Sequence, residues 1–167
     1  VLPPFLTHLV LWDDSTLPIE AGVLPNELTH LTLTYLYNKP IQIGVLPPSL
    51  THLTFGDEYV QPIDLDVLPN TLVQLNLGNE FNQSIAPNIL PNSIVCLIFG
   101  HCFEQSIGHD TLPTSLRYLF LSECYTLELP PINDNVKVIT YSVYDPMESL
   151  IAKYIPCLLY TSDAADD

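Results

Sequence analysis

Apolar residues in this chain fall into columns. Leu2-Pro3, Leu24-Pro25, Leu46-Pro47, Leu68-Pro69, Leu90-Pro91 and Leu112-Pro113 follow one another at 22-residue steps without a slip. Four residues after each first Leu stand Leu6, Leu28, Leu50, Leu72, Ile94 and Leu116. Seven after come Leu9, Leu31, Leu53, Leu75, Leu97 and Leu119, and nine after come Leu11, Leu33, Phe55, Leu77, Phe99 and Leu121. Two further columns hold Ser15, Tyr37, Tyr59, Phe81, Phe103 and Tyr125, then Ile19, Ile41, Ile63, Ile85, Ile107 and Leu129. Only Ser15 is not apolar. A fixed period of roughly 20 to 29 residues marks a solenoid.

Within each unit the spacing alternates. Leu50, Leu53 and Phe55 share one side, while His52 and Thr54 point to the other. Such alternation predicts a half-buried strand. Stacked units would pair these strands in parallel, about 4.8 Å apart. The Pro of each Leu-Pro precedes the strand, where its missing N–H does least harm. A second Pro recurs at Pro18, Pro40 and Pro62, and 16 prolines leave little room for long helices. One unit cannot bury enough to fold alone, so each depends on its neighbours and the open ends are weak points. The expected fold is mainly β: a leucine-rich-repeat-like solenoid with a parallel sheet and a short C-terminal helix. A closed parallel β-helix is the alternative, because the unit is short and none contains a helical stretch.

The last part of the chain departs from the period. Ile132, Val136, Ile139 and Tyr141 repeat the spacing of Leu112, Leu116, Leu119 and Leu121 with a shift of 20, which predicts a seventh strand closing the stack. Asp145-Pro146 reads as an N-cap with Pro at the first helical position. Met147, Leu150, Ile151 and Tyr154 then follow at helical spacing, predicting an amphipathic helix over 146–155 that lies on the exposed end. The organisation expected is a solenoid over 1–141, a capping segment over 142–156 and a non-native tail over 157–167. That tail resembles read-through of a sequencing adaptor. The chain opens in mid-pattern and is read as a piece of something longer.

Tyr37-Asn38-Lys39-Pro40-Ile41, Phe81-Asn82-Gln83-Ser84-Ile85 and Phe103-Glu104-Gln105-Ser106-Ile107 resemble the F-N-x-P-I core of the FNIP repeat. Leu46-Pro47, Ser49-Leu50-Thr51-His52-Leu53-Thr54-Phe55 and Gly56 match the rest of that repeat. The resemblance spans about residues 1 to 129. It implies a leucine-rich-repeat relative that serves as a protein-interaction scaffold. In this family the repeats sometimes follow an F-box, which would make the solenoid the substrate-recognition part of a ubiquitin-ligase adaptor. No catalytic residues come with the resemblance. The first unit departs from it at Ser15-Thr16-Leu17-Pro18, and Ser84, Ser106 and Glu128 replace the second Pro, so looser turns are expected there.

Charge narrows the partners. The net charge is −15, and Lys39, Arg117, Lys137 and Lys153 are the fixed cations. Nucleic acid needs clustered Lys and Arg, so direct binding to it is not expected; a basic partner or plain solubility fits. There is no run of 18 apolar residues for a membrane span. A protein partner in the cytoplasm is the expectation. Asp57, Glu58, Asp64, Asp66 and Glu80 read as solvated turn acids, since no calcium-loop motif surrounds them. Cys96, Cys102, Cys124 and Cys157 form no C-x-x-C pair. Cys102 and Cys124 share a column in adjacent units, within disulfide reach; two reduced thiols are the alternative for a cytosolic protein.

No motif of an esterase, zinc protease, phosphate loop or dinucleotide fold is present, so neither enzyme activity nor a cofactor is expected. A polysaccharide-cleaving β-helix would need Lys and Arg that this chain lacks. Two outward rows remain: His8, His30, His52, Gln74, Cys96, Tyr118, and Val10, Thr32, Thr54, Asn76, Ile98, Phe120. Both turn apolar at the C-terminal end. Either a partner grips Cys96, Ile98, Tyr118 and Phe120, with Gln74 and Asn76 beside them, or the terminal helix or a loop folds over that end. His8, His30 and His52 are the one metal alternative, although a flat row supplies no tetrahedral set. A passive scaffold and a carbohydrate or small-ligand binder are the other function classes.

Overall fold

The computed structural model describes residues 2–11 and 17–155. Trp12, Ser15 and the tail over 157–167 lie outside the described residues. Among these residues seven strands run in chain order: β1 (His8–Leu11), β2 (His30–Leu33), β3 (His52–Thr54), β4 (Gln74–Asn76), β5 (Cys96–Ile98), β6 (Tyr118–Ser122) and β7 (Lys137–Tyr141). One helix follows, α1 (Met147–Tyr154). The strands form a single parallel sheet whose order is the sequence order. From β1 to β6 the register keeps the 22-residue step, with His8, His30, His52, Gln74, Cys96 and Tyr118 abreast. Among the described residues no second sheet closes the back. The fold is the leucine-rich-repeat-like solenoid, not the closed β-helix.

The Leu-Pro pair works as a turn just before each strand. Leu6, Leu28, Leu50, Leu72, Ile94 and Leu116 donate their N–H to the carbonyl of the Pro three residues earlier, at 3.1 to 3.2 Å. Proline loses nothing in this role, because only its carbonyl is used. The turn aims the next apolar residues inward. Leu50, Leu53, Leu72, Leu75, Leu77 and Ile94 are fully enclosed in a core that runs the length of the coil. On the far wall the aromatic column stacks from unit to unit: Tyr59 on Phe81 at 6.4 Å, Phe81 on Phe103 at 6.4 Å, Phe103 on Tyr125 at 5.9 Å.

The units that lack the second Pro keep their packing. Ile85 and Ile107 after Ser84 and Ser106 remain buried. The Asn82 side-chain oxygen accepts the Glu104 N–H and the Gln105 side-chain amide, both at 3.0 Å. Asn38 does the same for Val60 and Gln61 two units earlier. The same bridge thus forms where the second Pro is present, at Pro40 and Pro62, and where it is missing, at Ser84 and Ser106.

The end of the solenoid differs from expectation in three ways. β7 pairs with β6 at a shift of 19, not 20: Ile139 lies beside Phe120 and Tyr141 beside Ser122. A one-residue slip exchanges the two faces of a strand. Ile139 and Tyr141 therefore point to the outer face, while Val138, on the inner parity, is 38% exposed. The helix begins one residue later than expected, with Pro146 as its N-cap and no side-chain cap. The Asp145 carboxylate instead accepts the Ser142 N–H at 2.8 Å, bracing the turn before the helix. Finally, α1 lies on the outer sheet face rather than over the open end. It closes a second core of Cys96, Ile98, Phe120, Ile139, Tyr141, Ile151 and Ile155. That cover explains the slip: with a helix outside, burial rewards Ile139 and Tyr141 for facing outward.

Candidate protein-interaction face

The outer face of the sheet is divided by α1. Over β5 to β7 it is closed. Cys96 and Phe120 are 0% exposed and Ile98 is 1% exposed, packed in one core with Ile151 of the helix. Tyr118 is half-buried at the margin of this second core. Of the two occupants expected for the apolar end, the terminal helix is the one in place. The physical reason is general: a strand with apolar residues on both faces is covered on both. Burial pushes the Cys96 thiol up to about 12, leaving it an inert core group. The Tyr141 hydroxyl donates to the Phe99 carbonyl at 2.6 Å, and burial pushes it up to about 12 as well. Lys137 lies over the Tyr154 ring at 4.4 Å, and Lys153 lies over it at 5.1 Å.

Over β1 to β4 the face carries different side chains. Val10 and His8 are exposed, and His30, Thr32, His52, Thr54, Gln74 and Asn76 are half-buried; among the described residues no helix covers them. The three histidines form a stack, with rings 4.1 Å apart and tilted by 12° and 9°. Its geometry comes from the threonine column beside it. Thr29 and Thr51 donate their hydroxyls to the carbonyls of Thr7 and Thr29, each at 3.0 Å. The hydroxyl oxygens, already committed as donors, accept the Nδ1–H of His30 and His52 at 2.9 and 2.8 Å. This places the proton on Nδ1 and leaves Nε2 unprotonated.

Stacked parallel rings hold their Nε2 lone pairs side by side, so they do not converge on one ion. Among the described residues no group of three or more His, Cys, Asp or Glu is arranged to hold a metal. The stack is instead a neutral, flat surface. Burial, then the charges of His52 and His8, lower His30 to about 4. Burial, then His8, lower His52 too. The sign follows from linkage. Well above pH 6.5 the rings of His30 and His52 are neutral whether the chain is folded or not. As the pH falls towards 4 the unfolded chain takes up protons that His30 and His52 refuse in the stack, and stability is lost. We expect the wild-type chain to lose about 1 to 2 kcal/mol more between pH 7.5 and 4.5 than His30→Gln; the value is discounted because the ring is part-exposed. Urea unfolding at both pH values measures it. Using the variant as reference removes the opposing effect of neutralising the carboxylates.

Cys102 and Cys124, expected to be within reach of each other, are both free and exposed.

The family model of the FNIP repeat matches residues 1–35, 37–80 and 81–124. The chain belongs to the FNIP-repeat family. It is also similar to a crystal structure described as CroV588, a novel circular leucine-rich-repeat protein, with 47% identity and a TM-score of 0.72. That similarity covers 82% of this chain and 20% of the other, so the FNIP chain spans about a fifth of its structural relative. No curated protein sequence matches it. The family and the fold are those of repeat scaffolds, commonly used for protein interaction. Among the described residues no helix is long and apolar enough to cross a membrane.

Proposed function

We propose that this FNIP-repeat chain binds a protein partner on the outer face of β1 to β4. The observation that supports it is the division of one sheet face: α1 closes β5 to β7, while β1 to β4 present an ordered row of His8, His30, His52 and Gln74 with Val10, Thr32, Thr54 and Asn76 beside it. Flat, aligned, neutral hydrogen-bonding groups suit recognition of a folded surface or an extended segment. Carboxylates stand in the turns at the edge of this face: Asp57, Glu58 and Glu80. A partner with Lys or Arg at the margin of its contact complements them. An F-box encoded upstream would make this face the substrate-reading part of a ligase adaptor, a role carried by family analogy.

Photo-crosslinking tests the reading. A crosslinker at Thr54 is expected to capture one protein that a crosslinker at the exposed Glu27 does not. Thr32→Arg with Thr54→Arg is expected to abolish that capture, at least about tenfold in yield, since buried unpaired charge at an interface is strongly unfavourable. Equal capture from Glu27, or undiminished capture by a folded double variant, would sink it.

A further inference from the structure

Thr34, Gly56, Gly78, Gly100 and Ser122 occupy equivalent positions at or just after the ends of the strands. From Gly56 to Gly100 the missing Cβ lets each coil pass against the carbonyl of the unit before. Two residues further on, an amide joins neighbouring coils each time. Glu58 donates to the Tyr35 carbonyl at 3.0 Å, Glu80 to Asp57 at 2.8 Å and Cys102 to Asn79 at 2.9 Å. Ser122 carries a Cβ, and there the link changes. The equivalent amide, that of Cys124, donates to Ser122 Oγ at 3.1 Å.

The same change assembles a side-chain cluster. Ser122 Oγ lies 2.7 Å from His101 Nδ1, and His101 Nε2 lies 3.8 Å from Cys124 Sγ. With Nδ1–H donated to Ser122, Nε2 turns its lone pair to the thiol. Ser122 is almost fully buried, so it holds the ring from inside, while Cys124 is exposed. A thiol, a base within reach and a third group orienting the base is the arrangement of an activated nucleophile. Cys102 occupies the equivalent position one unit earlier, where coils stack about 4.8 Å apart, inside the Cα range of disulfides.

We propose that His101, Ser122, Cys124 and Cys102 form a thiol–disulfide exchange site that takes a low-molecular-weight disulfide. Cys124 is the attacking thiol, His101 its base, Ser122 the positioning residue and Cys102 the resolving thiol. The charges about the pair fit this division. Burial, then Glu80, Glu104 and Cys124, push the Cys102 thiol up, so it stays protonated until a bridge is to be closed. Glu123 is the remaining carboxylate beside Cys124 in the chain, and it is exposed. Cys96, fully enclosed, takes no part.

The reaction runs in two exchanges. His101 Nε2 takes the Cys124 proton. The thiolate attacks one sulfur of the small disulfide, its S–S bond breaks, and the departing thiolate recovers the proton from His101. Cys102 then gives its proton to solvent and attacks the Cys124 sulfur. The mixed S–S bond breaks, and the second small thiolate leaves and is protonated. Two protein thiols become one disulfide, and one small disulfide becomes two thiols. The product joins the fifth and sixth units covalently where the repeating backbone link is missing.

The test uses the full chain and oxidised glutathione, with peptide mapping after acid quench. A Cys102–Cys124 bridge is expected, and Cys102→Ser is expected to stop at a glutathione mixed disulfide on Cys124. Iodoacetamide at pH 7 is expected to modify Cys124 about tenfold faster in the wild-type chain than in His101→Gln, because the variant has no base within reach of the thiol. Its pH profile should shift with it, which a merely structural role for His101 would not produce. A bridge to Cys157 or between molecules, or mixed disulfide in Cys102→Ser at sites other than Cys124, overturns the proposal. So do equal alkylation rates in the two folded chains.

Discussion

Gly100→Ala is expected to lower the free energy of unfolding by about 3 kcal/mol or more, the upper end of what overpacking costs. The added Cβ would collide with the Gly78 carbonyl oxygen and stand 2.6 Å from the Gly78 carbonyl carbon and 2.7 Å from Asn79 Cα. All of these are backbone atoms, so no rotamer relieves the clash. The coils would have to part, yet they are tied on both sides of the contact. Leu77 donates to the Ile98 carbonyl at 3.0 Å and Cys102 to the Asn79 carbonyl at 2.9 Å. In a one-dimensional stack, a failed interface weakens the units on both sides of it. Gly44→Ala is the control. Gly44 has a φ of 81° but nothing within 4 Å of a built Cβ, so only the left-handed backbone costs, about 1 to 2 kcal/mol. Urea unfolding of the two variants separates crowding from conformational strain. Equal losses would show that the close approach of coils contributes nothing.

The contrast between these glycines shows what the sequence reveals and what it leaves to the structure. The strands were legible because their columns repeat: His30, His52 and Gln74 each open a strand at the same phase. The glycine column was equally visible at Gly56, Gly78 and Gly100, but only coordinates show what a side chain there would meet. The FNIP units after Ser84 and Ser106 looked weaker by their missing proline, since the pattern shows Asn82 but not the Glu104 and Gln105 amides it accepts from the next unit. Beyond Leu129 the period fails, and register there depends on a tertiary partner. Ile139 matched an inner column by spacing; α1 made the outer face the buried one. The same ambiguity hid the fate of Cys96, Ile98 and Phe120. Outward apolar residues call for a cover, and the pattern does not say whether that cover is another protein or the chain itself. The cluster of His101, Ser122 and Cys124 had no motif, because its members come from two units.

Phe120→Ala is expected to cost about 3 to 5 kcal/mol, the usual loss for a fully buried Phe, and to release α1 from the sheet. Phe120 is 0% exposed and meets the Tyr154 ring edge-on at 6.3 Å. The helix has eight residues and no side-chain N-cap, and a helix this short does not hold in water by itself. Its order therefore comes from the second core, and Phe120 is the largest fully buried side chain the sheet contributes to it. Hydrogen exchange measures the coupling directly. In Phe120→Ala the amides of Ser149 to Ile155 should lose protection while those of β2 and β3 keep theirs. Phe81→Ala, in the inner aromatic column, should cost about the same without that selectivity. Persistent protection of the helix in a folded Phe120→Ala chain would mean that α1 is held from elsewhere. Its loss would expose Cys96 and Ile98 and turn the closed half of the face into an apolar patch, the condition under which that half would bind anything at all.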